Sequence, residues 1–355
     1  MSIDDVKVIG DVPEIGKDSV SSSAEIILVQ ETKKRILFTL KILVAAGVIA
    51  LLVGSGQLDF GRVAQAFQNG PGWIIIAALC LLFGICVTAL RWHLLLKAQD
   101  LHLTYWNALR LTFVGIFFNT FMPGGTGGDF AKAYYVWDTG SKRAAAVTTI
   151  FLDRVVGLYA MLGLASVMAL LQAKTLWSIP AAKPVLICVP AGFLFGTAAM
   201  AVAFTPQVRR LLTAERKGLL NRVAQISNKV YEALLLYRDS KSTIFWAFVL
   251  SFASHIGLSL CFAAFGQTFG EPIIGIFIYF LIVPIGMIAN GIPALPMGIG
   301  QGEAAFHFLY KILADSPHGA EASIFLRCLS ILWVVFGGLF YLTLKGNLFE
   351  KAKPI

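Results

Sequence analysis

Apolar positions along this chain fall in long blocks, not in the short alternations of a soluble core. Runs at roughly 36–55, 73–90, 147–171, 185–204, 244–266, 273–290 and 322–343 each approach the ~20 residues that carry a helix across a bilayer. Two further apolar segments, Trp106–Met122 and Met297–Leu313, are shorter and interrupted, and each adjoins a Pro/Gly cluster. The pattern predicts an all-α, polytopic membrane bundle of seven or eight spans. One or two re-entrant or broken helices and a possible two-half pseudo-repeat complete it. Its frame is an N-terminal tail over 1–35, a transmembrane domain over 36–345 and a C-terminal tail over 346–355.

The polar positions between the blocks predict orientation, because short cytoplasmic loops collect Lys and Arg. Lys33, Lys34 and Arg35 put the N-terminus in the cytoplasm, and the loop after the first span, holding Arg62 alone, lies outside. Arg91, Lys97 and Arg110, then Lys132, Lys142 and Arg143, mark two stretches as cytoplasmic, which makes the segment between them re-entrant. Residues 205–243 carry eight basic against three acidic residues. Their apolar positions (Leu219, Val223, Ile226, Val230, Leu234, Tyr237) recur every three or four residues. This reads as an amphipathic connector on the anionic inner leaflet, with a merely solvated connector as the alternative. Lys345, Lys351 and Lys353 favour a cytoplasmic C-terminus, which would make the second broken segment traverse; that side stays open.

Composition agrees. Of 355 residues 57% are apolar and 14% charged, against about 25% charged in a soluble domain. Disorder, a coiled coil and a nucleic-acid-binding domain are excluded. The net charge of +9 is largely topological. Residues 1–24 are polar, so no signal peptide is predicted. Cys80, Cys86, Cys188, Cys261 and Cys328 lie in apolar runs and suggest packing, with neither a disulfide framework nor a zinc site.

The chemistry concentrates in the interrupted segments. The first runs from Asn119 through Pro123, Gly124, Gly125, Thr126, Gly127 and Gly128 to Asp129; the second runs from Asn290 through Pro293, Pro296, Gly298, Gly300 and Gly302 to Glu303. Each gives an asparagine, then proline, then alternating glycines, then a carboxylate opening an apolar helix, and the two acids stand 174 positions apart (129 to 303). Irregular backbone at membrane depth is tolerated only against protein or a wet cavity. Paired breaks in corresponding halves point to a transport site, with glycine N–H groups and helix dipoles available to an anion. The competing reading makes the glycines packing contacts and the acids N-caps. Asp153, Arg154 and Arg327 are also inside apolar runs, where ionisable groups line a pathway or pair up; a structural pair of Asp153 with Arg327 is one possibility. His255 reads as a packing histidine, and Trp73, Trp92 and Trp177 read as interfacial anchors.

The run from Phe118 to Asp129, the stretch Asp153-Arg154-Val155-Val156-Gly157-Leu158 and the run from Pro296 to Ala304 resemble the flippase-like membrane region of lysylphosphatidylglycerol synthases and their stand-alone relatives. The resemblance covers about residues 36–345. It implies a helical bundle with re-entrant elements in the cytoplasmic membrane of a prokaryote, associated with moving lipid between leaflets. About ten residues follow the last span, so the synthases' aminoacyltransferase domain is not expected, and with it no enzymatic activity.

The reading is therefore a lipid translocase, with a solute or ion secondary transporter as alternative and an enzyme on lipid-phosphate substrates third. The expected binding residues are Asn119, Pro123, Gly124, Gly125, Gly127, Gly128, Asp129, Lys132, Asp153, Arg154, Pro296, Gly298, Gly300, Gly302, Glu303 and Arg327. Glycine-loop N–H groups with Arg154, Lys132 or Arg327 would hold a lipid phosphate, and Asp129 and Glu303 a cationic headgroup or a coupling proton. No cofactor, metal or nucleic acid is expected. Partners would be membrane lipids, a second copy of the chain or a lipid-modifying enzyme. No phosphate-binding loop of the G-x-x-x-x-G-K-[ST] type occurs, so energy would come from a gradient, a partner or nothing.

Overall fold

The structure, a computed structural model, describes residues 46–56, 58–121, 127–136, 143–203, 240–270, 275–292 and 298–344, together with single positions at 32, 36, 39, 40, 43, 237, 294 and 295. The predicted connector at 205–243 therefore lies almost wholly outside the described residues, as do Pro123, Gly124, Gly125 and Pro296. Among the described residues there is no strand. The elements are α1 (Phe60–Asn69), α2 (Pro71–Lys97), α3 (Tyr105–Phe121), α4 (Gly127–Val136), α5 (Arg143–Leu171), α6 (Ala173–Ser178), α7 (Lys183–Ala203), α8 (Lys241–Thr268), α9 (Tyr279–Gly291), α10 (Gln301–Leu313) and α11 (Gly319–Thr343). Residues 46–54 are helical as well. Among the described residues five helices are long and apolar enough to cross a membrane: α2, α5, α7 with its preceding turn, α8 and α11. The protein is a multi-pass, all-α membrane bundle.

Four consecutive elements occur twice. A long helix, two short ones and a second long one (α2–α5) return in the same order as α8–α11. Lys97 and Thr268 close the first members 171 positions apart, Gly128 and Gly302 open the short helices at 174, and Arg154 and Arg327 follow at 173. The two halves have opposite sense, which follows from how α2 and α8 pack. An alanine side chain at Gly70 would meet Thr268, Gly84 approaches the Ser254 carbonyl, and Gly257 approaches Phe83 and the Cys80 carbonyl. Further along, Arg91 bonds Ser251 and Leu95 clusters with Ala247. Residue numbers rise on one helix as they fall on the other, so these corresponding helices are antiparallel. The pseudo-twofold axis therefore lies across the helices, the arrangement of inverted-repeat transporters. Glycines at the contact allow this approach, as is usual where membrane helices meet.

The short helices are hairpins. At 10–17 residues they span about 15–25 Å, less than the ~30 Å hydrocarbon core. Asn290 meets Gly302 at the tip of the second pair, and Gly286 meets Phe306 further down, so α9 and α10 are antiparallel. The apolar run at 273–290 is thus half of a re-entrant hairpin and not a crossing, as the sequence reading had it. Its length alone hid this, because an 18-residue apolar run looks the same whether it crosses or turns. With α9–α10 turning back as α3–α4 does, α10 need not traverse. Each hairpin begins where the preceding long helix ends, and α2 and α8 are antiparallel, so the hairpins enter from opposite ends. Each leans on the other half: α3 runs along α11, with Phe113 and Phe117 against Gly337, and α9 runs along α5.

Candidate functional site

Described residues flanking the two hairpin tips line one common cavity. It measures about 770 Å³, with Asn119 and Arg154 from one half and Asn290, Gly298 and Arg327 from the other on its wall. Most of the remaining wall is apolar. A second cavity of about 350 Å³ is lined by Arg91, Asp129, Lys132 and Asp153 of the first half and by Ser254 and His255 of the second, among others. Asn119, Arg154, Ile116 and Met287 border both cavities.

Each half holds a carboxylate on its re-entrant helix and an arginine on its closing long helix. In the first half Arg154 Nε donates to the Asp129 carboxylate at 2.9 Å, and Asn119 Oδ1 accepts from the Gly128 N–H at 2.7 Å. Gly128 is obligatory here, because a Cβ would stand 2.7 Å from the Gly115 carbonyl oxygen. In the second half Arg327 Nε donates to Glu303 Oε1 at 2.6 Å, and its Nη2 reaches Asn290 Oδ1 and the Gly298 carbonyl oxygen at 3.2 and 3.1 Å. Glu303 also accepts from the Gly300 N–H at 2.6 Å and from Ser323 Oγ at 3.2 Å. It is therefore both the helix cap and a member of the ionic site, two roles that the sequence reading had set against each other. The turn before it carries Gly298 at φ +67° and Gly300 at φ +85°, left-handed backbone that glycine adopts without a steric penalty. Gln301 ties the tip together, its amide donating to the Ala289, Asn290 and Ile292 carbonyls.

Equivalent pairs differ in depth. The Glu303 side chain is 0% exposed and Arg327 27%, whereas Asp129 is 31% exposed and Arg154 53%. The first half adds three residues with no ionic counterpart in the second. Arg91 Nε bonds Asp153 at 2.7 Å and its Nη1 bonds Ser251 at 2.7 Å, all buried. Lys132 is buried beneath the tip with its ammonium 4.4 Å from the Trp92 ring centroid. Aligned on Gly128 and Gly302, the second half puts Phe306 where the first has Lys132.

Several sequence readings change here. Asp153 pairs with Arg91 and not with Arg327, because α2 packs against both α5 and α8 and its Arg91 guanidinium reaches Asp153 on one and Ser251 on the other. Arg91, read as a loop charge reporting topology, is a buried member of the cluster, and nothing in its local sequence signals that. Trp92 is fully buried under Lys132 and is no interfacial anchor; Trp73 and Trp177 are exposed, as anchors are. Lys132, also counted as a loop charge, sits within α4. His255 bonds the Gly157 carbonyl at 2.9 Å, a satisfied packing histidine, yet it borders the smaller cavity. All five cysteines are free. Among the described residues no group of three His, Cys, Asp or Glu could hold a metal.

Residues 38–338 match the family model described as the lysylphosphatidylglycerol synthase TM region. The chain belongs to this family. It is also similar to a UPF0104 membrane protein of Methanothermobacter thermautotrophicus, 22% identical over 319 residues, which is 83% of this chain and 88% of that protein. The matched region contains the first half of the inverted repeat, all but the last five residues of the second, and every ionic group of the two cavities. Membership thus fixes a membrane protein of a family tied to lipid handling.

Proposed function

We propose that this family member moves a phospholipid or lipid-linked headgroup across the membrane, without catalysing a covalent step. One observation carries the reading: hairpins entering from opposite ends place Asn119 and Arg154 of one half and Asn290 and Arg327 of the other on the wall of one largely apolar cavity of about 770 Å³. Such a slot suits an amphiphile, with Asn119, Arg154, Asn290 and Arg327 for a polar headgroup and apolar walls for the chains. The inverted repeat supports alternating access, since two equivalent halves related by an in-plane axis can exchange conformations around a central site.

The experiment is reconstitution of the full chain into liposomes carrying a fluorescent headgroup-labelled phospholipid, with leaflet exchange followed by external quenching. Wild type accelerates exchange over empty vesicles, and Arg154→Gln lowers that rate at least tenfold while the protein stays folded. Exchange no faster than in empty vesicles, or unaffected by Arg154→Gln, overturns the proposal. Solute flux without lipid exchange would favour the secondary-transporter alternative.

A further inference from the structure

Five ionisable side chains of the first half surround the smaller cavity: three basic (Arg91, Lys132, Arg154) and two acidic (Asp129, Asp153). The acids are already engaged, Asp153 by Arg91 and Asp129 by Arg154, each within 3 Å. One positive charge is in excess, and Lys132 is the basic group that is in contact with neither acid. That residue is 8% exposed, lines the cavity and lies against the Trp92 ring; among the described residues its ammonium has no ion pair or hydrogen bond, and Asp153 and Asp129 act on it only through space. A desolvated ammonium with no anion in direct contact is costly, and the fold does not require one there, since Phe306 fills the equivalent place in the other half by packing on Phe262 and Gly286. The cavity wall offers further donors. Asn119 spends its carbonyl on Gly128, which leaves its amide NH2 on the wall, and the Arg154 guanidinium borders both cavities.

We propose that the smaller cavity is an anion site that binds a phosphate group, with Lys132 as its principal ligand. This rests on the lipid-headgroup reading above and narrows it: the recognised moiety is a phosphate, as a phospholipid headgroup or as free inorganic phosphate. A cationic aminoacyl headgroup is disfavoured, because its ammonium would be the fourth positive charge around two acids that are both committed. The asymmetry of the repeat acquires a role, with the first half holding the anion and the second supplying the buried Glu303–Arg327 anchor.

The test uses the full chain in nanodiscs of zwitterionic phosphatidylcholine. Its thermal midpoint is measured against added phosphatidic acid, inorganic phosphate and a cationic lysyl-ester lipid, for wild type, Lys132→Met and the remote surface control Lys174→Met. Phosphatidic acid should raise the wild-type midpoint in a saturable manner. Lys132→Met should weaken that binding ten- to a hundredfold, the worth of a charge-assisted hydrogen bond, while its ligand-free midpoint equals or exceeds that of wild type. Lys174→Met should behave as wild type. Inorganic phosphate acting alone would support the anion site and identify a soluble ligand, whatever the lipid-exchange assay shows. Equal phosphatidic acid binding by Lys132→Met, tighter binding of the lysyl ester, or a lowered ligand-free midpoint in Lys132→Met would overturn the proposal, the last by making the lysine structural.

Discussion

Replacing Arg327 with methionine should destabilise the protein far more than the same change at its repeat-mate Arg154. Glu303 is completely buried and its anionic charge is met by Arg327 at 2.6 Å, with Gly300 N–H and Ser323 as supporting donors. Removing one partner of a buried pair costs about 3–5 kcal/mol, because the remaining charge is stranded. Arg327 is itself 27% exposed toward the cavity, so the lower end, ~3 kcal/mol, is expected; that is about 150-fold in the unfolding equilibrium. The Asp129–Arg154 pair is open to the cavity on both sides, and exposed pairs are worth roughly 0–1 kcal/mol. Equilibrium unfolding in mixed micelles of rising SDS fraction, followed by circular dichroism, measures both variants. The double variant Glu303→Gln/Arg327→Met should recover much of the loss, since a stranded charge and not the missing attraction is the main cost. Equal losses for Arg327→Met and Arg154→Met, or no recovery in the double variant, would refute burial as the deciding factor.

Gly128→Ala should cost about 1–3 kcal/mol by overpacking the α3–α4 tip against the Gly115 carbonyl, whereas Gly192→Ala, with nothing within 4 Å, should gain roughly 0.5–1 kcal/mol of helix propensity; the same micelle titration separates them. At His318, just ahead of α11, burial and then the neighbouring Arg62 hold the imidazole below its ordinary value, and its ring stacks on Phe269 at 4.9 Å. The folded protein therefore resists a proton that the unfolded chain accepts, so this contribution is fully present above the ordinary histidine range and is lost as pH falls through it toward the depressed folded value. Thermal midpoints at pH 7.5 and 5.5 should fall further for wild type than for His318→Phe, and an identical fall in both would exclude the linkage. Tyr237 is a separate anchor, buried with its hydroxyl donating to the Leu95 carbonyl and meeting Thr149. Burial pushes its phenol up to about 12, so it stays a neutral donor at any physiological pH.

The inverted repeat also explains why the site is lopsided. A pseudo-twofold requires only that the two hairpins be able to fold alike, and the shared Asn, Gly and acid positions provide that. It does not hold the residue one turn into each re-entrant helix to one type, and there the halves diverge into Lys132 and Phe306. Function can therefore be added to one half with the architecture of both intact.

By itself the sequence determined the membrane class, most of the long helices, the two breaks and five intramembrane charges (Asp129, Asp153, Arg154, Glu303 and Arg327), but not Arg91. These are local properties: a twenty-residue apolar run, a Pro/Gly interruption and an acid opening a helix are each legible within one segment. The likeness of Asn119–Asp129 to Asn290–Glu303 could be read directly as well. Three things needed the tertiary structure. The antiparallel packing of α2 on α8 makes the repeat inverted, and it depends on where Gly84 and Gly257 let two distant helices touch. The run at 273–290 proved to be a hairpin arm because Gly286 seats against Phe306, a contact that hydropathy does not contain. Asp153 found Arg91, 62 positions away, in preference to Arg327, because charge pairing follows the register between packed helices and not their order along the chain.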